Sequence, residues 1–120
     1  MAADAIAELG AISRLLLEGA PSAAVIERRA EESGLFADVE VDEPPEVVEL
    51  ELADSLDVRL DELRRAFGDE HEVPRMPYRA ARVAFYLREV GRPASVAIFA
   101  SLDEDDEERV RAFMLRRDEL

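Results

Sequence analysis

The chain has 120 residues, 29 acids against 15 basic residues, a formal net charge of −14 and no Cys. Without Cys there is no disulfide framework, no thiolate nucleophile and no Cys-ligated zinc. With 48% apolar residues the composition is not that of a disordered chain, and so acidic a balance argues against direct binding to nucleic-acid phosphates.

The length is near the modal size of one domain, so residues 1–120 are expected to fold as a single unit. All fifteen basic residues are Arg, and Lys, Asn, Gln, Thr and Trp are absent. Met1 is followed by Ala-Ala-Asp rather than by a basic segment and an apolar run, so no signal peptide is expected. The apolar stretches are far too short to span a membrane. These features together set the expectation of a cytoplasmic protein.

Ala2 to Glu18 is predicted to be a helix, because Ile6, Leu9, Ile12 and Leu16 recur at three- and four-residue spacing. Gly19 and Pro21 end it. Ser22 is a candidate cap for a second helix from Ala23 to Ser33, with Val25, Ile26 and Ala30 as its apolar stripe and Gly34 as its stop. Residues 1–34 thus read as a helical hairpin.

Phe36 to Val41 alternates weakly, and Pro44-Pro45 breaks it. Val48-Glu49-Leu50-Glu51-Leu52 alternates strictly, as a strand with one buried face does. Leu60 to Phe67 reads as a short helix, with Leu60, Leu63 and Phe67 on one face and Gly68 as its stop. Asp69 to Pro77 reads as a polar loop. Val83–Leu87 and Val96–Ala100 read as an antiparallel hairpin turned through Val90-Gly91-Arg92-Pro93.

The last segment is ambiguous. Val110, Phe113 and Met114 fit helical spacing, whereas the apolar run Ala112–Leu115 fits a third strand, which is favoured. The predicted fold class is α+β: an N-terminal helical hairpin packed on an antiparallel meander of three to four strands, with one short helix inserted at 60–67.

Charge is unevenly distributed. Residues 36–58 hold nine acids and no base, whereas residues 64–92 hold seven Arg and four acids. This asymmetry suggests opposed faces or a steering field. The candidate partner-binding residues are Glu40, Asp42, Glu43, Glu46, Glu49 and Glu51 on the acidic side, with Arg79 and Arg82 on the basic side.

Catalytic patterns are weak. His71 is the only His, and none of the six Ser sits in a G-x-S-x-G setting. Asp103, Asp105 and Glu107 have the spacing that opens a calcium loop, but Glu108 stands where Gly is needed and Met114 where Glu is needed. Neither G-x-x-x-x-G-K-[ST] nor G-x-G-x-x-G occurs. No cofactor and no metal are expected.

The helix Leu60–Phe67 with Gly68, followed by strands, resembles the helix-then-meander of small inhibitor and lipoprotein modules of the β-lactamase-inhibitor type. In size, acidity and α+β make-up the chain is also similar to acidic chaperones of type III secretion effectors. Both likenesses lie at the level of the fold alone, which does not carry function. Small size, strong acidity and the absence of catalytic motifs set the expected function: a non-catalytic module that binds a protein with a basic surface. The alternatives are a self-associating assembly subunit, a homodimer in its simplest form, and an enzyme with an unrecognised carboxylate and Arg site.

Overall fold

A computed structural model describes residues 2–19, 22–43, 46–74, 81–88 and 94–119. Within them the order of elements is α1 (Ala2–Leu17), α2 (Ala23–Ser33), β1 (Phe36–Val41), β2 (Val47–Leu52), β3 (Val58–Arg59), α3 (Leu60–Phe67), β4 (His71–Glu72), β5 (Arg82–Arg88), β6 (Ala94–Leu102) and β7 (Arg109–Glu119). The fold is α+β, with an antiparallel sheet that follows the helical hairpin and a short helix inserted at 60–67. The sheet is wider than three to four strands. Its order is β1-β2-β7-β6-β5-β4, with β3 also paired to β7. β3 and β4 are two residues each, too short to carry a period in the sequence.

The C-terminal segment is a strand, and a bulge explains why it imitates a helix. β6 and β7 pair continuously from Ala94↔Glu119 to Ser101↔Ala112, and the register then shifts to Leu102↔Val110. The extra residue is Arg111. A bulge of this kind lets residues three apart share a face. Val110 and Phe113 accordingly both reach the core at helical spacing although neither is helical. A second bulge, between Phe36 and Asp38, explains the weak alternation of β1. Its extra residue, Ala37, returns Phe36 to the face used by Val39 and Val41, and all three pack against the core.

In-register rows form one apolar face. Val48, Leu115, Ile98 and Phe85 lie side by side across β2, β7, β6 and β5, each 0% exposed. Leu50, Phe113, Ala100 and Val83 form the adjacent row. The hairpin of β5 and β6 has the antiparallel pairing expected of it. Its turn at Val90–Pro93 lies outside the described residues, as does Pro44-Pro45.

The helices cover this face. α1 lies over β6 and β7, α2 over β1, and α3 against α1 and β5. α1 buries Ala5, Leu9, Ile12, Leu16 and Leu17, while Ile6 sits at the margin. α2 buries Ala23, Ile26 and Ala30. Val25 instead points outward and is 42% exposed. At 100° per residue it falls off the stripe that positions 23, 26 and 30 define. Phe67 of α3 meets the Phe85 ring at 6.2 Å between centroids. Gly34 ends α2 at φ 71°, a left-handed conformation suited to Gly.

Ser22 holds the N-cap position of α2 but makes no side-chain capping bond. The free N–H of Ala23 donates instead to Glu43 Oε2, 3.1 Å away. A carboxylate at a helix N-terminus satisfies an orphan donor and complements the helix dipole.

The row through Phe85 generates a prediction. Phe85→Ala should cost about 3–5 kcal/mol in urea unfolding, by lost burial plus the cavity left behind. Val25→Ala should change stability by less than about 0.5 kcal/mol. Equal effects would contradict the placement of the core.

Candidate functional site

Side chains alternate across a strand, so a sheet with one face under helices presents the other outward. Three in-register rows of this second face are described. The first is Asp38, Glu51, Ala112, Ser101 and Arg82. The next is Glu40, Glu49, Met114, Phe99, Ala84 and His71. The third is Val47, Arg116, Ala97 and Tyr86. Together they form an uneven surface: acidic over β1 and β2, largely apolar with Arg116 over the middle, and carrying Arg82, Tyr86 and His71 toward β5 and β4.

The acidic end places like charges opposite each other. Asp38 pairs with Glu51 and Glu40 with Glu49 in direct cross-strand register. All four are exposed. Facing like charges destabilise a sheet. Among the described residues no Arg forms an ion pair with any of them. The strain shows in Glu40. Its carboxyl is held above the ordinary carboxylate range, first by a hydrogen bond shared with Glu49, then by repulsion from Asp38 and Glu49.

The middle of the face is an aromatic platform between two cations. The Arg82 guanidinium lies 5.7 Å from the Phe99 ring centroid, and that of Arg116 lies 5.3 Å from it. Cation–π contacts at this range are favourable and leave guanidinium donors available for carboxylates. Arg116 also pairs with Asp118 at 3.1 Å. No ion pair to Arg82 occurs among the described residues. At the far end His71 meets Tyr86 edge-on at 4.9 Å, and Tyr86 is 53% exposed. A shallow depression of about 450 Å³ runs between the two ends, lined by the four acids, Arg82, Ser101, Arg111 and Met114 among others.

Other candidate residues have different roles. Asp42 Oδ1 accepts from the N–H groups of Glu46 and Val47, at 2.8 and 2.9 Å, and so organises the connection from β1 to β2. Glu43 caps α2. Glu46 offers its backbone carbonyl to Arg117 N–H at 2.8 Å, with its side chain exposed beside the face. Arg79 lies outside the described residues. Of the eight candidates, Glu40, Glu49, Glu51 and Arg82 therefore share one surface. Sequence reasoning missed Phe99, Met114, Tyr86, Arg116 and the site role of Asp38. The signal was available for Phe99, which is out of phase with Val96, Ile98 and Ala100 in an otherwise apolar strand.

The acids of 103–108 are engaged elsewhere. Arg59 pairs with Asp106 at 2.8 Å, Arg111 approaches Asp103 at 3.9 Å, and Arg64 approaches Glu108 at 3.8 Å. Arg64 also holds Glu70 at 2.7 Å. The Asp106 and Glu70 carboxyls are held below the usual range, chiefly by hydrogen bonds from Arg59 and Arg64. The segment that imitates a calcium loop is thus a loop tied down by Arg. Among the described residues no group of three or more His, Asp or Glu side chains could hold a metal ion. Nor is any helix there long and apolar enough to cross a membrane. No protein-family model, curated protein or solved structure matches the chain.

Opposite pH dependences follow. Glu40 titrates higher in the folded chain than in the unfolded one, so its contribution is favourable in acid and is lost as pH rises through the folded value. Asp106 and Glu70 titrate lower when folded, so theirs is present at neutral pH and is lost as pH falls. Glu40→Gln should therefore raise Tm at pH 7 slightly, with the gain vanishing as pH falls through the carboxylate range. Arg59→Ala should lower Tm at pH 7 and soften the loss in acid. Thermal melts between pH 3 and pH 8 check both, and a Glu40→Gln variant destabilised at pH 7 would contradict the repulsion.

Proposed function

We propose that this chain is a non-catalytic protein-binding module, of the inhibitor, immunity-protein or chaperone kind, that takes a basic partner on the open face of its sheet. The observation that carries this reading is the set Asp38, Glu40, Glu49 and Glu51: four exposed carboxylates opposed in pairs, none of which forms an ion pair with a base among the described residues. A partner that brought Arg or Lys to this end would relieve repulsion that the free chain sustains. Charges so placed speed association and set orientation more than they add affinity.

The rest of the face suits the same role. Phe99, Met114 and Tyr86 supply the apolar and aromatic anchors that carry most of the energy in protein interfaces. The sheet beneath them is fixed by the helix-covered core, so little order needs to be gained on binding. Arg82 on β5, across the face from the acids of β1 and β2, sets which way round a partner sits, because a ligand basic at one end and acidic at the other matches this arrangement in one orientation only.

The test is site-specific crosslinking in the native host. A photo-reactive amino acid placed at Met114 should capture one basic protein in stoichiometric yield, and the same group at exposed Val25 on α2 should not. Asp38→Asn, Glu40→Gln, Glu49→Gln and Glu51→Gln combined should reduce that capture by about tenfold or more. Equal products from positions 114 and 25, or none from 114, would refute the reading.

A further inference from the structure

The open face is complementary to itself, and we infer that the free chain forms a two-fold dimer through it. The argument rests on register. Acids occupy β1 and β2, while Arg82, His71 and Tyr86 occupy β5 and β4. In the strand order β1-β2-β7-β6-β5-β4 the midline runs between β7 and β6. A two-fold axis along that midline, in the plane between two facing sheets, exchanges β1 with β4, β2 with β5 and β7 with β6. It leaves each residue in its own row.

The consequences can be taken row by row. In the first row Glu51 of one copy comes over Arg82 of the other, and Ala112 over Ser101. In the second, Glu40 comes over His71 and Met114 over Phe99. In the third, Val47 comes over Tyr86. Glu51 thus meets Arg82 at each end, Glu49 comes over Ala84 and Arg116 over Ala97, and a thioether meets an aromatic ring next to the axis, a favourable contact. Each pair occurs twice, as an isologous interface requires. Facing sheets lie about 10 Å apart and about 30° from alignment. That separation lies within reach of opposed Glu and Arg side chains, and contacts near the axis shift least under the rotation.

Charge is what favours a second copy as the occupant. The chain carries −14, so an arbitrary pair of copies repels. This arrangement brings Glu51 of each copy to Arg82 of the other. The rows span roughly 24 Å by 14 Å of sheet, given the usual strand spacing and rise. That is below the size of a stable interface, so the dimer is a weak one and should dissociate on dilution. The inference rests on the reading of this face as a docking surface and adds its regulation: self-association covers the face, and a basic partner must displace the second copy.

Sedimentation velocity over a concentration series, at pH 7 and fixed moderate salt, tests this. The wild type should pass from monomer to dimer as concentration rises. Glu51→Arg alone and Arg82→Glu alone should each weaken association by about tenfold or more. The double variant Glu51→Arg/Arg82→Glu should return to within about threefold of wild type, since the reversed pair is again complementary. Both positions lie on the helix-free face, and circular dichroism would check that the fold is kept. A monomer at every concentration up to about 1 mM, where the weakest specific association would still show, overturns the inference. So does a dimer indifferent to both single reversals, or a double variant weaker than either. A monomeric chain that still crosslinks a basic protein from position 114 would sink the dimer and leave the docking reading intact. A dimer with no such crosslink would do the reverse.

Discussion

The row Val48–Leu115–Ile98–Phe85 is the interaction on which the rest of the molecule depends. It crosses four strands, is fully buried under the helices, and includes the residue at which β7 joins β2 to β6. Burying four large apolar side chains contributes roughly 6–12 kcal/mol, comparable with the whole net stability of a typical domain. A slip of one residue in any of these strands would turn its apolar set to water and its polar set into the core. The register is therefore fixed by the covered face, and the open face inherits it. Glu40 opposes Glu49 because Val48 and Leu50 must face the helices.

That inheritance lets the open face hold an unfavourable arrangement. The cost of opposing carboxylates in water is small beside the core that sets the register. The acids of the loop between β6 and β7 are treated differently. Asp103, Asp106 and Glu108 each have an Arg near them, and the loop they form is anchored. The same composition thus yields a neutralised loop and an uncompensated face. Placement, rather than net charge, marks the candidate site.

Much of the fold was legible because its elements follow clean periods. The strict alternation of 48–52 and the three- and four-residue spacing of α1 both have single readings. The parts that misled did so for identifiable reasons. The bulge at Arg111 put Val110 and Phe113 three apart on one face, which copies a helix. The bulge at Ala37 blurred β1. β3 and β4 hold two residues each, and their pairing with distant strands has no local signature. The candidate site was less legible. Charge counting located the acidic stretch but could not separate Asp42 and Glu43, which cap and turn the backbone, from Glu40, Glu49 and Glu51, which face outward. Phe99 lies in an apolar strand, and only its phase against Val96, Ile98 and Ala100 sets it on the open face.

The central claim is that the open face holds repulsion the free fold does not need. Its most direct test is the unfolding free energy at pH 7 as a function of ionic strength, at a concentration low enough to keep the chain monomeric. Wild type is compared with the combined Asp38→Asn, Glu40→Gln, Glu49→Gln and Glu51→Gln variant. The account predicts that the variant is the more stable at low salt and that the gap closes as salt screens the wild-type carboxylates. A variant less stable than wild type at low salt, or a gap that salt leaves unchanged, would contradict it.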